Sequence, residues 1–146
     1  MTGTSGMLRG WIAHLDLTVS ELAVSVPFYD KVLAHLRLER LKPTGTGPGR
    51  PVWHAKHEDL RLFGIALCEA GAAQRGKRHD RYAPGLHHVA FHAASREDVD
   101  RLYRLLLGMG ATILDPPADY PQYGPVCYAV FFADPDGLKL EFVYMA

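Results

Sequence analysis

Residues 12–34 repeat at 86–108 with a constant offset of 74 and no gap. His14 falls on His88, Leu15 on Val89, Leu17 on Phe91, Phe28 on Leu102, Tyr29 on Tyr103 and Leu33 on Leu107. Two copies are too few for a solenoid, in which each unit leans only on its neighbours. They fit a duplicated domain whose halves pack on each other.

In each copy a period-two alternation runs into a helical spacing of apolar residues. Leu15, Leu17 and Val19 share one face of a first strand, and His14, Asp16 and Thr18 share the other. The second copy repeats this, with Val89, Phe91 and Ala93 on one face and His88, Ala90 and His92 opposite. Ser25 is the expected N-cap of the first helix, with Pro27 in its first turn, where a missing N–H costs nothing. Val26, Tyr29 and Leu33 form its inward stripe. Ser95 caps the second helix, Leu102, Leu105 and Leu106 face inward, and Gly108 and Gly110 stop it.

Further strands are expected near 36–41, 51–57 and 60–68, and again near 111–115, 126–132 and 138–144. Pro, Gly and Asp clusters at 43–51, 115–125 and 134–137 mark the turns. The order is strand, helix, three strands, twice over: module one over about 10–70, a linker over about 71–85, and module two over about 86–146. Residues 1–9 are expected to fray.

A histidine on a strand, taken singly, is more often a surface or core residue than a metal ligand. Here two histidines are equivalent across a repeat, and Glu141 sits on the final strand among apolar neighbours. Two histidines and a carboxylate are the ligand set of an open divalent-metal site. His92 on the face of His88, Asp16 on the face of His14 and Tyr128 in the last hairpin are the candidate acid–base residues, with Tyr123 in the preceding loop as part of a lid. His54 and His57 fit a cavity lining and an exposed strand equally well.

Charge bounds the partners. Sixteen acids balance sixteen bases, so no field steers the chain to nucleic acid or membrane. The basic stretch at 74–81 reads as a solvated linker. Two cysteines, Cys68 and Cys127, make no disulfide framework and fit no zinc spacing. The amino-terminal segment MTGTSGMLRG lacks the apolar core of a signal peptide, and a cytoplasmic location is expected.

The segments SVPFYDKVL (25–33), LHHVAF (86–91) and YAVFFADPDGLKLEFVY (128–144) resemble the vicinal oxygen chelate superfamily: glyoxalases, extradiol dioxygenases, fosfomycin-modifying enzymes and bleomycin-binding proteins. The likeness runs over roughly residues 11–144. It implies an α+β fold of two paired βαβββ modules, a curved mixed sheet around a metal cavity, and a homodimer. The family's metal positions carry over to His14, to His88 rather than His87 (only His88 keeps the repeat register) and to Glu141. A fourth ligand of glyoxalase I relatives falls on Ala66, which cannot ligate. Glu69 is out of register and reaches the metal only through a bulge. Relatives that open fosfomycin have a threonine two residues after the first ligand, where this chain has Asp16.

The resemblance therefore implies a metal-dependent enzyme that binds a small substrate through two adjacent oxygens. Its chemistry is extradiol dioxygenase-like or that of a glyoxalase-family lyase or isomerase. Fe(II) or Mn(II) is favoured, with Zn, Ni or Co as alternatives. The competing reading is a metal-independent binder of a drug or metabolite.

Overall fold

The computed structural model describes residues 8–43, 49–57 and 60–146, with the side chain of Leu60 excepted. Most of the expected turn at 43–51 and of the fraying segment 1–9 lies outside the described residues. The chain divides into two compact units, Met1–Arg75 and Gly76–Ala146.

The first unit runs β1 (His14–Val19), α1 (Leu22–His35), β2 (Glu39–Arg40), β3 (Val52–His57) and β4 (Leu60–Glu69). Its four strands form an open mixed sheet in the order β1-β4-β3-β2, with β1 parallel to β4 and the other pairs antiparallel. One face is apolar: Leu17, Val19, Trp53, Ile65 and Leu67 are buried. Helix α1 lies on this face, where Trp53 Nε1 donates to Asp30 Oδ1 at 3.0 Å. His14, Asp16, Gly64 and Ala66 occupy the other face, as the strand alternation requires.

Helix α1 begins at Leu22 rather than after Ser25. The capping acceptor comes from a distant strand: Glu69 Oε2 accepts from the Leu22 N–H at 3.1 Å. Ser25 is thereby buried inside the helix, and Pro27 lies beyond the first turn. Packing against the sheet outweighs the local cap signal.

The second unit runs β5 (His88–His92), α2 (Arg96–Gly108), β6 (Thr112–Asp119), β7 (Cys127–Ala133) and β8 (Lys139–Met145). Its sheet order, β5-β8-β7-β6, matches the first unit element for element. Leu140, Phe142, Val130 and Phe132 make the buried face together with Val99, Leu102 and Leu106 of α2. The expected N-cap holds: Ser95 Oγ accepts from the Asp98 N–H at 3.2 Å. Strand β6 runs through Pro116 and Pro117, which the sequence assigned to a turn. An edge strand tolerates prolines, and two register shifts flank Asp115. In the turn before β8, Asp134 Oδ1 accepts from the backbone N–H groups of Asp136 and Leu138 at 2.9 and 2.8 Å.

Hydrogen bonds hold the middle of the expected linker. Arg75 pairs with Glu69 at 2.7 Å. Arg78 donates to the Pro135 carbonyl at 3.2 Å, and the His79 N–H to that of Asp136 at 2.9 Å. Among the described residues no helix is long and apolar enough to cross a membrane.

Candidate functional site

In the second unit β5 pairs in parallel with β8, and the register sets Ala90 opposite Glu141 and His88 opposite Lys139. Paired residues share a face, so His88, His92 and Glu141 stand together on the side away from α2. His88 Nε2 lies 3.1 Å from Glu141 Oε2. The other ring nitrogen, Nδ1, lies 2.7 Å from His87 Nδ1. His87 in turn meets the Tyr82 ring edge-on at 5.7 Å. Burial first, then the charges of His88, Lys139, Arg81 and His79, hold the His87 imidazole below its ordinary value. A neutral imidazole has one N–H and one lone pair, so a hydrogen bond between the two Nδ1 atoms couples the tautomers of His87 and His88: one ring donates and the other accepts.

The surroundings of Glu141 are apolar on one side. Its β7 partner is Phe131. Phe131, Cys127, Ala129 and Val143 form a small second core, covered by Leu114 and Tyr120. The Tyr120 ring stands edge-on to Phe131 at 5.3 Å, and Lys139 Nζ lies 4.1 Å over the centroid of Phe131. Burial, then the nearby Asp115 and Glu141 carboxylates, push the Tyr120 hydroxyl above its ordinary value, keeping it a neutral donor. Tyr120 thus stands beside the His88–Glu141 pair, a placement that no sequence pattern signals; Tyr123, the expected lid residue, is 67% exposed.

Tyr128, an expected acid–base residue, does not share the face of Glu141. It pairs with Tyr144, not with Glu141, and so lies on the face under α2. Its hydroxyl donates to Asp100 Oδ1 at 2.8 Å, and Arg96 stacks over its ring at 4.7 Å. Tyr128 is close to Glu141 along the hairpin, but the alternation turns its side chain away from the His88 face. His92 shares the face of His88 and is exposed at its β5 end.

In the first unit His14 sits on edge strand β1, opposite Gly64 of β4. Asp16 Oδ1 lies 3.2 Å from His14 Nδ1, and Nε2 has no hydrogen-bond partner among the described residues. Asp16 Oδ2 accepts from Arg50 at 3.1 Å, and Arg50 also reaches Cys68 Sγ at 2.6 Å. Asp16 therefore orients His14, and Arg50 orients Asp16. Position 66 pairs with Asp16 just as Glu141 pairs with Ala90, so the strand register puts Ala66 in the place of Glu141. Glu69 joins β4 to β1 opposite Val19 without a bulge there; its carboxylate serves Leu22 and Arg75.

The donor set suits a divalent ion. Adjacent ligand atoms bound at about 2.0–2.2 Å to one ion stand about 3 Å apart, and His88 Nε2 and Glu141 Oε2 have that spacing. His88 and His14 each present Nε2 while Nδ1 is held by a neighbouring side chain, the usual support of a metal-bound imidazole. Among the described residues, no group of three or more His, Cys, Asp and Glu side chains gathers as a ready metal site; neither unit by itself supplies a full ligand set.

Three comparisons place the chain among known proteins. A model of the Glyoxalase/Bleomycin resistance protein/Dioxygenase superfamily matches residues 11–142. The chain is 29% identical to an uncharacterized protein of Bacillus subtilis, YqjT, over 89% of this chain and 95% of that one. It is 28% identical to the metallothiol transferase FosB of Bacillus licheniformis, over 89% of this chain and 72% of that one. A Bacillus halodurans structure named as a candidate glyoxalase superposes with a TM-score of 0.76 at 28% identity, covering 95% of this chain and 98% of that one. A glyoxylase/bleomycin resistance protein/dioxygenase domain from Frankia gives a TM-score of 0.67 at 25% identity, covering 92% and 97%.

Proposed function

The chain belongs to the Glyoxalase/Bleomycin resistance protein/Dioxygenase superfamily, and from that premise we propose a metal-dependent enzyme that takes a small substrate through two adjacent oxygens. The observation that carries the reading is the approach of His88 Nε2 to Glu141 Oε2 at 3.1 Å. His14, equivalent to His88 by the repeat, supplies the third ligand in this reading, from the same chain or from a second copy. His88, Glu141 and His14 would hold a divalent ion, which when bound would supply a Lewis acid for two neighbouring substrate oxygens.

The chain's own residues do the rest. His87 fixes the ring of His88, and Asp16 fixes that of His14. Phe131 and Tyr120 keep one side of Glu141 dry, which strengthens every polar interaction made there. The Tyr120 hydroxyl, held protonated, is a donor for a substrate oxygen that gains negative charge. His92, four residues along β5 from His88, is an additional proton carrier on the same face.

Elemental analysis of untagged wild type beside Glu141→Ala tests the reading. About one metal per chain, lost in the variant, is the expected result. A wild type that takes up no ion after anaerobic addition of Fe(II) or Mn(II) would overturn it and favour metal-independent binding of a drug or metabolite. Oxygen uptake with catechols then separates ring cleavage from lyase or isomerase chemistry.

A second reading, thiol transfer, has one observation in its favour: the 28% identity with a metallothiol transferase. Asp16 at the position of the family's threonine weighs against it. Consumption of a thiol in the presence of an epoxide substrate, dependent on Glu141, would favour transfer over the first reading.

A further inference from the structure

The side of the first unit away from α1 contains a cavity of about 300 Å³ whose lining includes His14, Asp16, Arg50, His54, Arg61 and Gly64. His54 is 7% exposed, and its buried Nδ1 has no hydrogen-bond partner among the described residues. The ring lies directly over Gly64: a Cβ at that position would stand 2.7 Å from His54 Cδ2 and 3.0 Å from Nε2. Glycine is needed there for room. With Nδ1 sealed off, Nε2 is the ring nitrogen that can exchange a hydrogen bond with a molecule in the cavity.

Arg61 reaches this cavity through an irregularity. By strict alternation from Ile65 and Phe63 it belongs on the α1 face. Between β3 and β4, however, the pairing steps from Ala55↔Phe63 to Lys56↔Arg61, so that two β4 residues oppose one of β3. Such a bulge re-aims the side chain that follows, and Arg61 lines the cavity. Among the described residues it has no ion pair or hydrogen bond. Arg50 spends two N–H groups on Asp16 and Cys68 and keeps others. The carboxylate of Asp16 is already engaged by His14 and Arg50, so among the described residues that line the cavity the unused side-chain capacity is that of donors and the uncompensated charge is positive.

We propose that this cavity is an oxyanion subsite, in which Arg61, Arg50 and His54 hold the carboxylate, phosphonate or phosphate of a small acidic molecule. Burial first, then the charges of Arg61 and Lys56, hold the His54 imidazole neutral, and a neutral ring with Nδ1 bare donates from Nε2. A guanidinium with no ion pair among the described residues is the side chain best suited to a planar or tetrahedral oxyanion. The proposal deepens the reading above, and rests on it for the identity of the molecule: a substrate with two adjacent oxygens that also carries an anionic group.

The test uses the full chain, stripped of metal by a chelator. Inorganic phosphate and acetate are titrated separately, with sodium chloride as the ionic-strength control, and the ¹⁵N signals of the histidine rings are followed by NMR. Saturable perturbation of the His54 ring by phosphate or acetate, beyond that of chloride, is expected; the stronger of the two distinguishes a phosphoryl-type from a carboxylate ligand. Arg61→Gln, an exposed substitution, should weaken it by about tenfold or more, the loss of a charge-assisted hydrogen bond. Changes no larger than those of chloride, or unchanged binding in Arg61→Gln, would overturn the subsite. Metal uptake measured on the same preparations keeps the two readings apart. Metal bound without an anion response sinks the subsite alone, and an anion response without metal sinks the metal reading alone.

Discussion

The two units share a fold and a register and differ in where each puts its carboxylate. In the second unit the acid is on the last strand, Glu141, and meets His88 at Nε2. In the first unit that place is Ala66, and the acid has moved to the first strand as Asp16, meeting His14 at Nδ1. The same pair of residue types is thus used in two ways. A carboxylate beside Nε2 shares the coordinating edge of the ring; a carboxylate beside Nδ1 aims the ring and leaves that edge open. Duplication provided two equivalent histidines, and a displacement of one acid by one strand gave them unequal supports. The residues around them follow suit: Gly64 and Ala66 leave a cavity with cationic walls, while Lys139, the counterpart of Gly64, lies over the Phe131 ring.

Removing the unequal element should have the largest effect. Glu141→Ala is expected to abolish metal retention, and activity with it, while Ala66→Glu, which builds the same carboxylate into the first unit, should raise metal retention in the Glu141→Ala background. Elemental analysis of the four proteins of this cycle decides it. If Ala66→Glu leaves the ion content of Glu141→Ala unchanged, equivalence of the two positions does not extend to ligation.

Asp16→Asn should come next. The amide keeps the shape but loses the charge that holds both His14 and Arg50. Loss of such support for a ligand costs about 10–100-fold in metal affinity, measurable by competition with a chromogenic chelator. An affinity equal to wild type would show that His14 needs no orienting partner or is no ligand.

How much of this was legible depends on the distance over which each feature is decided. The alternation in 14–19 and 88–92 and the 74-residue offset are local, so both first strands and the matched histidines could be read directly. Ser95 is legible for the same reason, its cap closing three residues away. The start of α1 was not, because Glu69 caps it from 47 residues along the chain. The face of Tyr128 depends on its pairing with Tyr144, so a hairpin assigned without a register leaves it open. Arg61 was illegible because a bulge reverses its face, and the burial of His54 because it depends on an absent Cβ across the sheet at Gly64.

The two helix starts offer a comparison worth about 1 kcal/mol. Ser95→Ala should lower stability by roughly that amount, the typical value of an N-cap. Glu69→Gln removes the charge from both the α1 cap and the Arg75 pair and should cost about as much or less, since Arg75 and Glu69 are well exposed. Urea denaturation of both variants measures this. A Glu69→Gln loss far above that of Ser95→Ala would mean that the remote cap organises more of its unit than one helix turn. Tyr128→Phe belongs to the same size class, about 1 kcal/mol for the lost bond to Asp100, with kcat unaffected. A fall in kcat at unchanged stability would return Tyr128 to the reacting face.

The smallest expected effect concerns acid. His54 is held neutral in the fold, its value lying below that of an unfolded histidine through burial and then the charges of Arg61 and Lys56. Above the unfolded value, about 6.5, neither state takes up the proton and stability is full. As pH falls through that value the unfolded chain protonates first, and stability declines. His87 is shifted in the same direction, so both units contribute, but His54 is the buried one. Urea midpoints of wild type should drop between about pH 7.5 and 5.5, a span that brackets the unfolded value. His54→Gln should drop less, and His87→Gln should retain most of the loss. Equal slopes for wild type and His54→Gln would mean that the His54 ring rises off Gly64 and takes up its proton in the folded state, which would also open the seat on which the anion cavity of the first unit depends.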